Sequence, residues 1–235
     1  MSIIAFKIAG DYAHFSHPAT IYSSLTYPFP PKTAIMGLLS AIIGEEYYFK
    51  LNPIKYSIKL NTPLVKKSFI FNGVKFAPRS NTHLKKGYQD SSKKKQFYRE
   101  LICTPSYTVF VDLSKLDEYY QQKIISYLKV HKCSFTPYLG INFCIADFEW
   151  IEIKKCEKIN ENLVDIDTFT LKDDFVYEKD THGKRLTTII MACGVEEGRI
   201  FKDFKEFVLE IEGKKIKSKN RGNIYQINEN RVYFV

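Results

Sequence analysis

An apolar, strand-like run followed by a helical pattern occurs twice in this chain, and that order limits the fold more than any other feature. The first run, Ile3 to Ala9, is dense enough in apolar residues to be a central strand covered on both faces, and it ends at Gly10. A turn-rich aromatic stretch follows and closes on Pro30 and Pro31, which put a proline in the first turn of a helix, where its missing N–H is not needed. That helix runs from Lys32 to Ile43 and stops at Gly44; Ala34, Ile35, Leu38, Leu39, Ile42 and Ile43 recur at three and four, while Gly37 and Ala41 permit close approach to a sheet. The second unit is a strand from Tyr107 to Leu113, then Ser114 as N-cap with Asp117 three residues on. Leu116, Tyr120, Ile124, Tyr127 and Leu128 mark one face of the following helix, which ends near His131.

Two further strands complete the pattern. Ile54, Tyr56, Ile58 and Leu60 alternate with Lys55, Ser57 and Lys59, the mark of a strand with one solvated face, and Ile145 to Ile153 alternates less regularly. The order βαββαβ predicts an α+β, ferredoxin-like (RRM-like) body over residues 1–153. Residues 154–235 predict a β-rich C-terminal extension, with strands at Phe169–Leu171, Leu186–Met191, Phe207–Ile211, Ile224–Ile227 and Val232–Phe234. The one helix that pattern admits there is short, around Phe201 to Phe207.

Between the second and third strands, residues 64–107 hold ten Lys and Arg against Asp90 and Glu100, so this segment carries +8 of the chain's formal +9. Phe69, Phe71, Phe76, Tyr88, Phe97, Tyr98 and Tyr107 are interleaved with the cations. Cations displace condensed counterions from phosphates and rings stack on unpaired bases, so the pattern points to a flexible nucleic-acid strand; a plain solvated loop is the competing reading of any charge run. Ser68–Phe71 and Gln96–Cys103 read as strand flanks, with Asn72-Gly73, Pro78–Thr82 and Gly87–Lys95 as turn or loop chemistry, which predicts a long β-hairpin projecting like a thumb.

The chain is 235 residues long and 45% hydrophobic, enough for a full core. Its longest apolar stretch, Ala34 to Ile43, is far short of the ~20 residues of a membrane span, so the expectation is a soluble, cytoplasmic protein with no membrane partner. Five cysteines, never two or three apart, argue against a disulfide framework and a zinc knuckle. No acidic cluster suits magnesium, and no cofactor or metal is expected.

The run from Phe6 to Phe15 (FKIAGDYAHF), followed by Tyr27 to Leu39 (YPFPPKTAIMGLL) and closing on Ile43-Gly44, resembles the N-terminal signature of the CRISPR-associated family five proteins. Pro137-Tyr138-Leu139-Gly140 resembles the glycine-containing loop of the same repeat-associated superfamily. The resemblance implies a subunit of a type I interference complex (Cascade), most similar to the type I-B or I-A branch and to I-B first, that grips the 5′ handle of the CRISPR RNA. Its implied partners are that RNA, the repeated backbone (family seven) subunit and the large subunit, with target DNA met indirectly.

Three RNA-contact regions are expected. The first is the loop after the first strand, with Tyr12, His14, Phe15 and His17, ending at the helix start, where free N–H groups with Lys32 and Thr33 hold a phosphate; Tyr12 and Phe15 read equally well as core. The second is the thumb, with Lys66, Lys67, Arg79, Asn81, His83, Lys85, Lys86, Lys93, Lys94, Lys95 and Arg99. The third is Tyr138 to Asn142, where Gly140 lets backbone approach phosphate and Tyr138 offers a stacking face. No catalytic residue is assigned. The alternative is a metal-independent endoribonuclease that processes precursor RNA, for which His14, His17, His83 and His131 are the candidate bases.

Overall fold

A computed structural model of the chain describes residues 2–18, 20, 24–74, 94–177 and 183–235. In chain order its first part holds strands β1 (Ile3–Ala9) and β2 (Tyr12–Ala13), helix α1 (Lys32–Ile43) and strands β3 (Lys55–Leu60), β4 (Lys66–Val74), β5 (Lys94–Cys103) and β6 (Ser106–Asp112). Helix α2 (Glu118–Lys129) and strand β7 (Asp147–Ile151) follow. The remainder holds β8 (Cys156–Lys158), β9 (Leu163–Ile166), β10 (Thr170–Leu171), β11 (Leu186–Glu196), β12 (Ile200–Glu210), β13 (Ile216–Lys219), β14 (Ile224–Ile227) and β15 (Asn230–Tyr233). The fold is mixed α/β, mostly strand, and no described helix is long and apolar enough to cross a membrane.

A four-stranded sheet in the order β3-β6-β1-β7, antiparallel at every pairing, organises the first part. The period-2 rule sends Ile4, Phe6 and Ile8 of β1 to the face that shares a core with α1 and α2, and Ala5 to the other face. α1 has the bounds read from its periodicity, and it stops where Gly44 turns left-handed at φ 70. Pro31 is the N-cap at φ −65 and ψ 159, not a first-turn residue. Asp117, not Ser114, caps α2: its carboxylate accepts the Tyr119 N–H at 2.9 Å. β7 is shorter than its alternation suggested.

The second face of the sheet is covered, which corrects the solvated face expected for β3. Ser57 is fully buried and Lys59 Nζ donates to Asn230 Oδ1 at 2.6 Å. Phe110 and Ala5 pack there with Ile227, Val232 and Phe234 from the last strands, and Tyr56 and Val235 exchange backbone hydrogen bonds, each at 3.2 Å. Phe29, Phe169 and Phe207 form a three-ring cluster with centroids 5.1–6.2 Å apart, joined by Tyr56 at 5.2 Å from Phe169. The helical reading of Phe201–Phe207 is replaced by strand β12, which pairs with β11 from Leu186↔Glu210 to Glu196↔Ile200.

The basic insertion begins and ends as a hairpin. β4 and β5 pair from Lys66↔Ile102 to Val74↔Lys94, so Asn72 and Gly73, expected as a turn, are strand residues, and Lys94 and Lys95 pair with Val74 and Gly73. β2 adds to the other edge of β5 through Tyr12↔Cys103 and Ala13↔Ile102. The remaining thumb positions, Arg79, Asn81, His83, Lys85, Lys86 and Lys93 among them, lie outside the described residues.

Candidate nucleic-acid interface

Opposed residues of an antiparallel pair share a face, so the hairpin sorts its side chains by register. One face carries Lys67, Phe69 opposite Arg99, and Phe71 opposite Phe97. Phe69 meets Tyr12 edge-on at 5.3 Å, Phe71 packs on Phe143 at 5.7 Å, and the Arg99 guanidinium stands 5.7 Å over the same Phe143 ring. Phe97 lies over Gly73: a Cβ there would come 2.7 Å from the Phe97 ring. Phe71, Phe97 and Phe143 nonetheless remain 37–48% exposed. Three half-open rings beside Arg99 and Lys67 form a surface on which bases can stack while cations meet phosphates.

The opposite face anchors the hairpin at its base, while Ile70 and Tyr98 farther along it are exposed. Glu100 Oε1 accepts from Lys66 Nζ at 3.0 Å and from the Thr26 N–H at 3.1 Å, while Lys66 Nζ also donates to the Thr26 carbonyl at 2.7 Å. Lys66 is therefore committed to the protein, and the outward cation of the pair Lys66-Lys67 is Lys67, which is exposed.

The loop after β1 is likewise structural at its centre. His14 is 1% exposed, with Nδ1–H donating to the Glu100 carbonyl at 2.8 Å, and Phe15 is a core residue whose N–H donates to Thr26 Oγ1 at 2.9 Å. His17 lies against Tyr27 at 4.6 Å, so of the four residues expected there Tyr12 alone joins the hairpin face. Lys32, expected to hold phosphate beside Thr33, is buried and donates to the Asn52 carbonyl at 2.7 Å, and Thr33 is half-buried in the first turn of α1.

The third region does reach the hairpin, through a residue the sequence reading passed over. The Tyr138↔Ile145 bridge and the Leu139 N–H to Cys144 carbonyl bond at 2.7 Å close a tight loop that presents Phe143. Tyr138 and Asn142 are exposed on it. Gly140 is required by packing: at φ +88 a Cβ would lie 2.0 Å from the His14 carbonyl oxygen. Phe143 follows Asn142 directly, and its partners Phe71 and Arg99 lie far from it in the sequence. His131 stacks on Phe148 at 4.6 Å with Nε2 3.3 Å from Asp147.

Burial chiefly, with Arg99 and Lys66 nearby, holds the His14 imidazole below its ordinary pKa; the Glu100 carbonyl and carboxylate act the other way and lose. A folded-state pKa below the unfolded one means that the unfolded chain takes up the proton first as pH falls. His14 therefore leaves stability untouched above about pH 6.5 and lowers it below that. Denaturant unfolding from pH 7.5 to 5.0 is expected to show this fall, and His14→Asn, which keeps one N–H for the Glu100 carbonyl, to flatten it.

The profile of the family described as CRISPR-associated protein (Cas_Cas5) matches residues 3–193, from the first strand into β11. The chain belongs to this family. No curated relative matches the sequence. Among solved structures, a chain of a CRISPR RNA-guided surveillance complex matches at TM-score 0.55 and 12% identity, covering 91% of each chain. A chain of the Type III-B Cmr-beta complex bound to cognate target RNA matches at TM-score 0.53 and 12% identity, covering 91% of this chain and 86% of that one. A CRISPR protein from Archaeoglobus fulgidus matches at TM-score 0.52 and 10% identity, covering 99% and 98%. At these identities the likeness is one of fold.

Proposed function

We propose that this Cas5-family chain is a non-catalytic subunit of a type I CRISPR interference complex, nearest the I-B branch, that holds the 5′ handle of the CRISPR RNA and anchors the backbone and large subunits. The observation that carries this reading is the half-open ring set Phe71, Phe97 and Phe143 beside Arg99 and Lys67, at the base of a hairpin whose further sequence supplies Lys85, Lys86, Lys93, Lys94 and Lys95. An unpaired handle suits such a surface because its bases are free to stack. The surveillance complex among the fold relatives is RNA-guided, which supports the assignment. The strand order β3-β6-β1-β7 with α1 and α2 as crossovers supports reading the body as ferredoxin-like.

The endoribonuclease alternative draws no support from His14, which is buried and bonded to the Glu100 carbonyl. Repeat RNA incubated with the protein in EDTA is expected to stay intact; a discrete product abolished by one His→Ala change would reverse the assignment. Replacing Lys85, Lys86, Lys93, Lys94 and Lys95 with Ala is expected to flatten the plot of log affinity against log salt by about 0.7 per lost phosphate contact. An unchanged slope would remove the hairpin's distal lysines from the RNA site.

A further inference from the structure

An open cleft of ≈ 600 Å³ lies outside the hairpin and gathers four lysines, Lys32, Lys55, Lys115 and Lys205, against one acidic side chain, Asp203. Lys55 opens β3 opposite Asp112, which also pairs with Ile3 at the start of β1. β1 then advances about 20 Å, at roughly 3.3 Å per residue, before the chain turns into β2 and meets the hairpin. The cleft is therefore at the other end of the sheet from the ring surface.

None of Lys55, Lys115 and Lys205 forms an ion pair with a carboxylate among the described residues, although other surface lysines, such as Lys172 with Glu206 and Lys202 with Glu196, do. Lys32 is 8% exposed and spends one N–H on the Asn52 carbonyl at 2.7 Å, leaving two donors. A buried ammonium with spare donors, close to three unpaired ones, is stabilised by an anion carrying more than one charge. Phe204 lines the same cleft and is 56% exposed, a flat apolar face beside the charge. Its neighbour Asp203 holds the left-handed φ of 55, a conformation of the kind that clusters at binding sites.

We propose that this cleft binds a nucleotide, phosphates on the lysine cluster and base against Phe204, either as a free nucleotide or as one residue of a nucleic-acid strand. The site is separate from the proposed handle interface, and its cations are not part of the hairpin. A volume of this size accommodates one nucleotide.

The test titrates the full-length chain with ATP, with inorganic tripolyphosphate and with a short labelled single strand. Lys115→Glu combined with Lys205→Glu alters two exposed side chains outside the core and is expected to weaken ATP and tripolyphosphate by about tenfold or more. Phe204→Ala should weaken ATP but not tripolyphosphate. Phe71→Ala with Phe97→Ala, on the hairpin, should leave ATP binding within about twofold of wild type. If ATP fails to bind but the strand loses affinity in the cleft variants, the occupant is a strand residue. The proposal is overturned if neither ligand responds to the cleft variants, if ATP binding is unchanged in Phe204→Ala, or if ATP binding falls only in the hairpin variant.

Discussion

Phe71→Ala combined with Phe97→Ala is expected to weaken binding of single-stranded repeat RNA by roughly thirty-fold or more at fixed salt. Each stacked base is worth about 1–3 kcal/mol to its ring, so two rings supply about 2 kcal/mol at the low end, and 1.4 kcal/mol is a factor of ten in Kd. The loss should be almost independent of ionic strength, because no charge is removed, and this separates the rings from the lysines. Both side chains are only half-buried, at 37% and 43% exposed, so the unfolding midpoint should fall modestly while the cooperative transition is kept. Phe143→Ala removes the ring shared by Phe71 and Arg99 and is expected to fall in the same direction. Binding within about threefold of wild type in the double variant would mean that the rings merely brace the hairpin.

The largest stability effect is expected at Gly140. Its φ of +88 is strained for any L side chain, and the added methyl would stand 2.0 Å from the His14 carbonyl oxygen and 3.0 Å from Phe15 Cδ1. The carbonyl cannot retreat freely, since the His14 N–H is bonded to the Leu139 carbonyl at 3.0 Å and its ring is held by Glu100. Left-handed strain and overpacking together give roughly 2–5 kcal/mol of destabilisation for Gly140→Ala, a large share of a typical domain's stability. Gly37→Ala is the contrasting change: a Cβ there meets nothing within 4 Å, and exchanging Gly for Ala inside a helix gains up to about 1 kcal/mol. Urea unfolding of the two variants should move in opposite directions with similar slopes. A Gly140→Ala protein of normal stability that had lost RNA binding would return this glycine to the phosphate role expected from the sequence.

What could be read in the sequence was what its own local pattern determines. β1 and α1 have the bounds expected because their apolar spacing, the Pro30-Pro31 entry and the Gly44 stop all act within a few residues of the element. The β4–β5 hairpin was legible as a pair of strands because aromatic and branched residues cluster at Ser68–Phe71 and Gln96–Cys103 on either side of turn-rich sequence. Features set by distant chain were not. Ser57 and Lys59 look like part of a solvated face until Asn230 and the last strands cover them, some 170 residues downstream. Phe201, Phe204 and Phe207 recur at three and read as helical, but β11 supplies a complete pairing partner and makes them strand. Lys32 at a helix start suggested a place in the RNA-contact loop after β1, yet its ammonium is buried against the Asn52 carbonyl, in the cleft at the other end of the sheet from the hairpin. The same limit hid Phe143: nothing near it announces that Phe71 and Arg99, more than forty residues earlier in the chain, will meet its ring.

Ultraviolet cross-linking of the assembled complex to its own CRISPR RNA, followed by mapping of the modified peptides and nucleotides, addresses the central claim most directly. Adducts joining the 5′ handle to Phe71, Phe97, Phe143 or Tyr138 are the predicted result. Handle nucleotides cross-linked only to other subunits, or to this chain only at surfaces remote from β4, β5 and the 138–145 loop, would contradict it.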